Sequence, residues 1–235
     1  IIHSTPERWR DIIAKEKEIN PNVEITGMTV WETDKLDPRW VEWINEVDKV
    51  IVPCTWNKEV FQKCGIIKPI EVIPHIYNPI NTTNAFIKEI DKDDFVFYTV
   101  GQWSNRKGID DVIKAYLNEF TLNDKVCLVI KTFGNDYSID QQMIIKNRVN
   151  CIIKQYKTPA KIILLLEEMT DEEISSLHSL GHCYVSLAKA EGFGLGMFDA
   201  AANGIPVIST KFGGQLDFLQ STFFSLIVSY FYLLL

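Results

Sequence analysis

The stretch EGFGLGMFDAAANGIPVIST, Glu191 to Thr210, combines an acidic residue, a glycine-rich turn, a helical segment and an apolar strand. The apolar run HCYVSL, residues 182–187, predicts a buried strand before it. A helix should begin near Gly196 and stop at the Asn203-Gly204 pair, which tolerates left-handed backbone. A strand, a glycine loop and a helix N-terminus present free backbone N–H groups where no Cβ blocks approach. The stretch therefore predicts a site for a phosphate or a sugar hydroxyl.

Two acidic residues flank this turn, Glu191 in the loop and Asp199 within the first helical turns. Carboxylates suit sugar and ribose hydroxyls because each accepts hydrogen bonds from more than one of them. In the alternative interpretation, Gly192, Gly194 and Gly196 only form a turn, and the acids only stabilise a helix N-terminus. The pattern G-x-G-x-G differs from the dinucleotide fingerprint G-x-G-x-x-G, which disfavours a dehydrogenase.

A second signal lies upstream, in DFVFYTVGQWSNRKGIDDVIKAYLNEF, Asp94 to Phe120. It contains an apolar strand, a loop that ends in Arg106-Lys107-Gly108, and an amphipathic helix. This order resembles the donor-diphosphate segment of family 4-like retaining glycosyltransferases (glycosyl transferases group 1), which have the GT-B fold. The spacing from Glu191 to Asp199 is similar to the E-x7-E motif of that family. The resemblance implies two Rossmann-like lobes with parallel sheets, the N-terminal lobe being incomplete.

The resemblance also implies a role for each site residue. Lys107, with Arg106 beside it, would contact the donor diphosphate, and a flexible ammonium group suits phosphate oxygens. Glu191 would contact the transferred sugar and Asp199 the ribose. The candidate catalytic residues are therefore Glu191, Lys107 and Arg106. The donor-binding candidates are Gly101, Gln102, Phe193, Gly194, Leu195 and Asp199.

Two positions depart from the family pattern. Gln102 stands where the family usually has an arginine, so one cation is lost and Arg106 is the candidate to replace it. Asp199 replaces a glutamate, and its shorter reach means that a ribose contact needs a closer approach or a bridging water. On the acceptor side, His3 follows an apolar run and Glu32 follows the strand EITGMTV, which makes both candidates for acceptor contacts.

The alternation of apolar strands with helical segments predicts an α/β fold with parallel sheets. By resemblance, residues 1–80 are the C-terminal part of an acceptor-side domain, 81–93 an interdomain linker, and 94–235 a nucleotide-sugar donor domain. We expect a fragment that lacks part of the first domain and the end of the second. Thr170 and Glu173 predict a capping box. Strands are predicted near residues 23–31, 49–53, 70–73, 94–101, 125–132, 161–166, 182–187 and 205–209.

The charged residues and the cysteines bear on the partners and on the metal or cofactor that the protein would bind. The net charge of −7 disfavours nucleic acid, which needs a basic surface. Five cysteines without C-x-x-C spacing predict buried, reduced thiols in a cytoplasmic protein. Asp91-Lys92-Asp93 matches the D-x-D pattern of metal-dependent glycosyltransferases, but it precedes a strand instead of ending one, so we predict no metal and no cofactor. Lys131, at the end of a strand, is expected to be solvated.

The segment STFFSLIVSYFYLLL, Ser221 to Leu235, is almost wholly apolar. It is shorter than the roughly 20 residues that a membrane-spanning helix needs. Two interpretations stay open: a core strand or helix exposed by truncation, and a tail that associates peripherally with a membrane surface.

The resemblance implies a metal-independent, hexosyltransferase-like enzyme of glycan biosynthesis. It would transfer a sugar, with retention of configuration, from a nucleotide diphosphate to a glycan, lipid or protein acceptor, mainly through electrostatic stabilisation of the departing diphosphate. Two alternatives remain open. One is a degenerate lobe that binds a nucleotide-sugar without turnover, and the other is a nucleotide-sugar epimerase of the same GT-B fold.

Overall fold

The computed structural model describes residues 1–80, 87–219 and 225–227, which form an α/β structure with two parallel sheets. The chain divides into two compact units. Unit 1 consists of Ile1–Ile76, Ala190–Gly194 and Phe212–Phe218. Unit 2 consists of Tyr77–Lys189, Leu195–Lys211 and the chain from Leu219 onward. The predicted linker lies partly outside the described residues, since 81–86 are not among them.

Unit 1 contains a parallel sheet of four strands in the order β1-β2-β3-β4. The strands are β1 (Ile2–His3), β2 (Thr26–Met28), β3 (Lys49–Val52) and β4 (Ile70–Val72). The helices are α1 (Trp9–Ile19), α2 (Pro38–Ile44) and α3 (Thr55–Lys63), with 3-10 turns at Pro6–Arg8 and Gly214–Asp217.

Packing on this sheet depends on a tryptophan seated against a glycine. Trp9 is fully buried, and a Cβ atom on Gly27 would lie only 2.3 Å from its ring. Gly27 on β2 therefore allows α1 to approach the sheet closely. Helix α2 is capped at its start, because the Asp37 side chain accepts a hydrogen bond from the Arg39 N–H and Pro38 occupies the first helical position.

Unit 2 contains a parallel sheet of six strands in the order β10-β9-β8-β5-β6-β7. The strands are β5 (Phe95–Gln102), β6 (Val126–Phe133), β7 (Lys161–Leu165), β8 (Cys183–Ser186), β9 (Val207–Thr210) and β10 (Ser225–Ile227). The helices are α4 (Ile109–Glu119), α5 (Ile139–Ile153), α6 (Asp171–Leu180) and α7 (Leu195–Ala202). The eight strands predicted from the sequence are confirmed, with ends that differ by up to three residues.

Local signals in unit 2 act as predicted. The Thr170 side chain accepts from the Glu173 N–H at 3.3 Å, and the Glu173 carboxylate accepts from the Thr170 N–H at 2.8 Å, which confirms the capping box. Gly204 follows α7 with a φ of +76°, the left-handed backbone expected where the helix stops.

The apolar C-terminal segment is described only in part. Ser225–Ile227 form β10, which pairs in parallel with β9, and the rest of Ser221–Leu235 lies outside the described residues. None of the helices in the described part of the chain has the length and apolar character of a membrane-spanning segment.

The carboxylates of the D-x-D run are paired with lysines. Lys161 contacts Asp91 at 2.5 Å and Asp94 at 2.8 Å, and Lys125 contacts Asp93 at 3.1 Å. These pairs join the chain before β5 to β6 and β7. Within residues 1–80, 87–219 and 225–227, no group of three or more His, Cys, Asp or Glu side chains could hold a metal ion.

Two predictions about burial are wrong in part. All five cysteines are free thiols, but Cys151 on α5 is exposed, and Cys64, at the C-terminal end of α3, is only half-buried against the core of unit 1. Lys131 is buried instead of solvated: its ammonium donates to the Glu167 carbonyl at 2.7 Å and lies 4.7 Å from the centre of the Tyr137 ring. These two partners compensate the cost of burying the charge.

His178 on α6 gives unit 2 an expected acid sensitivity. It is 2% exposed, its Nδ1 lies 2.7 Å from the Tyr98 Oη, and burial lowers its pKa to about 4. Between pH 6.5 and 4 the unfolded chain binds a proton that the native imidazole does not, so the free energy of unfolding should fall as the pH falls. The expected loss is on the order of 3 kcal/mol.

Urea denaturation at pH 7 and pH 4.5 measures this effect, and His178→Gln should reduce the loss. An equal loss in His178→Gln would show that other groups cause the acid sensitivity.

Candidate functional site

The glycine loop, Ala190–Gly194, precedes α7 and belongs to unit 1. Helix α7 begins at Leu195, one residue before the predicted start at Gly196. Gly194 has a φ of +92°, a left-handed conformation that favours glycine, and this residue turns the chain into the helix. The sequence pattern of loop followed by helix N-terminus is therefore confirmed.

Two backbone carbonyls of the glycine loop are held in place. The Glu191 carbonyl accepts a hydrogen bond from the Gly214 N–H at 2.9 Å. The Gly192 carbonyl accepts from the Cys54 Sγ at 3.0 Å and from the Asn57 side-chain amide at 3.3 Å. Asn57 is itself fully buried and also bridges the backbone N–H and carbonyl of Trp31. The loop that carries Glu191 is thus fixed by hydrogen bonds on its carbonyl side.

Close packing makes glycine necessary around this loop. A Cβ atom on Gly214 would lie 2.0 Å from the Gly192 carbonyl oxygen, and one on Gly213, whose φ is +102°, would lie 2.5 Å from the Glu191 carbonyl oxygen. The Gly213-Gly214 pair was missed in the sequence analysis. The adjacent glycines of KFGGQLDF were its only signal.

The acidic and aromatic members of the loop are buried. Glu191 is 8% exposed and Phe193 is 4% exposed. The Phe193 ring packs against His75, with centroids 4.8 Å apart, and against Phe218, at 5.1 Å. The Phe193 side chain is therefore a core element of unit 1.

In unit 2, the β5–α4 loop, residues 103–108, follows the carboxyl end of β5. The Lys107 side chain crosses over Gly101, since its Cδ lies 3.8 Å and its Cε 3.9 Å from the place where a Gly101 Cβ would stand. The Lys107 N–H bonds to the Ser104 carbonyl at 3.1 Å, which closes a turn. The stem of Lys107 thus runs alongside Gly101 at the end of β5.

Gln102, at the position where the resemblance implies an arginine, bonds to the backbone of unit 2. Its side-chain amide donates to the Gly134 carbonyl at 3.0 Å, which ties the ends of β5 and β6. Arg106 offers its carbonyl to the Lys189 N–H at 2.8 Å, which ties the β5–α4 loop to the chain after β8. The two loops at this edge of the sheet are thereby joined within unit 2.

The start of α4 requires glycine. Gly108 precedes the helix with a φ of +65°, and a Cβ atom there would lie 2.3 Å from the Leu187 carbonyl oxygen. This close approach brings the first turn of α4 against the end of β8.

Asp199 lies on α7, within unit 2. Burial raises the pKa of its carboxyl group. It lines a small cavity of about 100 Å³ together with His178 on α6 and Asn203. Leu195 is 53% exposed at the helix N-terminus. The structure therefore assigns Gly101, Gln102, Arg106, Lys107, Leu195 and Asp199 to unit 2, and Glu191, Phe193, Gly194, His3 and Glu32 to unit 1.

Unit 1 has a cavity of about 260 Å³ at the carboxyl edge of its sheet, which we call the histidine cavity. It is lined by His3, Ser4, Thr5, Met28, Thr29, Val30, Pro53 and His75. The pKa of His75 is lowered by burial and by the neighbouring charge of His3. Glu32 is half-buried and is not among the lining residues. Of the two acceptor candidates, His3 lines this cavity and Glu32 does not. His75 also lines it and was not among the candidates predicted from the sequence.

Known proteins share sequence and fold with this chain. The O-antigen chain mannosyltransferase RfbU of Salmonella typhimurium is 30% identical over 138 residues, which are 59% of this chain and 35% of that protein. The pneumococcal O-GlcNAc transferase in complex with UDP and GlcNAc has a TM-score of 0.65 at 17% identity, over 94% of this chain and 44% of that chain. A trehalose-6-phosphate synthase structure, from a study of enzymatic glycosyltransfer with retention, has a TM-score of 0.67 at 13% identity, over 91% and 59%.

These solved structures share the GT-B glycosyltransferase fold with this chain. The chain spans between 16% and 41% of the length of the curated relatives it matches, so it is of partial length relative to them. The family model of glycosyl transferases group 1 matches residues 81–228. Because this match covers more than half of the chain, the protein belongs to the glycosyl transferases group 1 family.

Proposed function

We propose that this chain carries the donor-binding part of a glycosyltransferase that moves a sugar from a nucleotide diphosphate to a glycan acceptor with retention of configuration. The observation that carries this proposal is the placement of Lys107 across Gly101 at the carboxyl edge of the unit 2 sheet. Ligands of open α/β sheets bind at this edge. Family membership and the neighbours solved with UDP and sugars support the same class of donor.

The β5–α4 loop has the features of a diphosphate site. Lys107 supplies a cation on a flexible stem, and Arg106 next to it supplies a second one. The loop is fixed by its hydrogen bond to Lys189 and by the contact of Gly108 with the end of β8. Cations carried on a fixed loop stabilise the charge that develops on a departing diphosphate with little reorganisation of the backbone.

The glycine loop is proposed to bind the transferred sugar. Glu191 would accept hydrogen bonds from sugar hydroxyls, and the backbone N–H groups of Phe193, Gly194 and Leu195 would donate to sugar and phosphate oxygens. The carbonyls of Glu191 and Gly192 are already occupied, which keeps the loop in one conformation before the donor arrives. Asp199 is the proposed ribose contact.

In this mechanism the diphosphate leaves with its charge stabilised by Lys107, Arg106 and helix-end amides, without a metal ion. The incoming acceptor hydroxyl then attacks the same face of the sugar. The leaving phosphate is the proposed acceptor of the hydroxyl proton, so no side chain is assigned as a general base. The histidine cavity in unit 1 is the proposed place for part of the acceptor.

A second candidate is nucleotide-sugar binding without turnover. The side chain of Gln102 favours it, because it donates to the Gly134 carbonyl and provides no cation in place of the family arginine. If Arg106 does not replace that charge, the diphosphate would be bound but weakly stabilised when it departs.

Calorimetry of the chain with UDP, GDP and ADP and with their glucose and mannose conjugates, in the presence of a chelator, tests the proposal. We expect saturable binding of one nucleotide series and tighter binding of the sugar conjugate than of the free nucleotide. Release of the nucleotide diphosphate when a glycan acceptor is added distinguishes sugar transfer from donor binding alone. Absence of binding to all three series would overturn the proposal.

A further inference from the structure

Unit 2 has a second and larger cavity, of about 550 Å³, between the start of α4 and the middle of α5. We call it the α4–α5 cavity. Its volume lies within the range of roughly 300–1,000 Å³ that is typical of small-molecule sites. Lys107 and Gly101, which carry the proposed donor site, are not among its lining residues.

The charged groups of this cavity are paired with one another. Arg148 on α5 forms a bidentate ion pair with Asp110 on α4, with Nε to Oδ distances of 2.8 and 3.0 Å. Lys189 donates to the Asn105 side-chain oxygen at 2.8 Å and lies 3.6 Å from Asp111. These contacts fix the carboxylates and the amide in position, so a ligand would meet preorganised hydrogen-bond acceptors.

The pairing also indicates what charge a ligand should carry. The first turn of α4 would attract an anion by its dipole, but Asp110 and Asp111 occupy that turn and offset it. The cations Arg148 and Lys189 are engaged by these acids, which leaves only Lys114 among the lining cations without an ion pair in the described residues. A neutral, polar ligand therefore fits this cavity better than a phosphate or an acidic peptide.

An aromatic wall completes the cavity. Trp103 packs half-buried on the core beneath α4 and α5. Among residues 1–80, 87–219 and 225–227 its indole N–H finds no hydrogen-bond partner, while its backbone N–H bonds to the Phe133 carbonyl at 2.7 Å. A ring with an apolar face and a free donor, beside fixed carboxylates and an amide, is suited to a ligand that has both C–H faces and hydroxyls.

We propose that the α4–α5 cavity binds a sugar unit of a neutral oligosaccharide, at a site separate from that of the nucleotide-sugar. The indole ring of Trp103 stacks on the C–H face of the sugar, and its N–H donates to a sugar oxygen. Asp110 and Asp111 accept from sugar hydroxyls. The identification of this oligosaccharide as acceptor or product chain rests on the proposed function, whereas the binding itself does not.

Fluorine NMR of the chain labelled with 5-fluorotryptophan tests this site directly. The protein has six tryptophans, and Trp103 alone among them belongs to unit 2. Trp103→Phe identifies its signal by loss of one resonance. Titration with maltose, cellobiose, mannobiose, lactose and chitobiose should shift the Trp103 resonance in a saturable way for at least one sugar. Saturating UDP should leave that shift unchanged.

Two variants complete the test. Asp111→Asn keeps the shape of the side chain but weakens its acceptor, and we expect about a tenfold weaker affinity for the sugar. The matched control is Glu119→Gln, at the exposed C-terminal end of the same helix and outside the cavity.

A Trp103 signal that no sugar shifts would overturn the proposal. Equal sugar affinities of Asp111→Asn and Glu119→Gln would also overturn it. Displacement by UDP would instead assign the sugar to the donor site and would also overturn it. Failure of the proposed function would appear separately, as absence of nucleotide binding with the sugar response intact.

Discussion

Lys107→Met should weaken binding of the nucleotide diphosphate donor by about 10- to 100-fold, since a hydrogen bond to a charged group contributes roughly 1.5–3 kcal/mol. Methionine is chosen because it keeps an unbranched stem over Gly101 while it removes the ammonium group. The expected loss therefore reports the charge and not the packing of the loop. Calorimetry with the nucleotide that the wild-type chain binds measures it.

Two further lysine substitutions provide controls for this prediction. Lys146→Met removes an exposed lysine from α5 in the same unit and should leave the affinity unchanged. Lys107→Arg should retain part of the affinity, because it restores the charge with a different geometry. Equal affinity of Lys107→Met and the wild type would remove Lys107 from the diphosphate site.

The effect of Lys107 on turnover should be larger than its effect on binding. An electrostatic contact that strengthens as charge develops contributes most in the transition state, and removing one such donor typically costs about 100- to 1,000-fold in kcat. Steady-state kinetics with the donor and an acceptor measure the loss in kcat, which is compared with the loss in donor affinity. A raised KM with an unchanged kcat would mean that Lys107 holds the donor without stabilising its departure.

Gly108→Ala should destabilise unit 2 by about 3 kcal/mol or more. Left-handed backbone costs a residue with a side chain roughly 1–2 kcal/mol, and the new Cβ would also lie 2.3 Å from the Leu187 carbonyl oxygen. The Leu187 carbonyl is a backbone group, so it cannot move aside as the end of a flexible side chain could. The start of α4 or the end of β8 must therefore move.

Gly204→Ala is the matched control for this clash. Gly204 has a similar φ of +76°, but nothing lies within 4 Å of the position of its Cβ, so it should lose only the conformational cost of about 1–2 kcal/mol. Urea denaturation followed through the fluorine signal of Trp103 reports unit 2 without the tryptophans of unit 1. Equal losses in the two variants would show that α4 moves away from β8 at little cost.

Much of unit 2 could be predicted from the sequence because its signals are local. Long apolar runs give the strands, the Thr170 and Glu173 pair gives a helix start, and Gly204 gives a helix end. The glycine loop could be located in the same way, since strand, turn and helix follow one another in the chain. Such patterns require no knowledge of distant residues.

Features that depend on distant partners could not be predicted. Lys131 was expected to be solvated because its partners, the Glu167 carbonyl and the Tyr137 ring, come from two other loops. The hydrogen bond from Gly214 to Glu191 joins two residues that are separated along the chain by helix α7 and strand β9. The α4–α5 cavity is formed by three chain segments, and only the fold brings its charges together.

The assembly of unit 1 from three separate stretches of chain has a consequence for biosynthesis. Its sheet and helices come from Ile1–Ile76, but Ala190–Gly194 and Phe212–Phe218 complete it. Domains usually fold as units while the ribosome synthesises the chain from the N-terminus. Here the early stretch stays without its last partners until Phe218 has been synthesised, by which time most of unit 2 has already emerged. Residues 1–76 of a nascent chain should therefore gain protease resistance only after Phe218 has been synthesised.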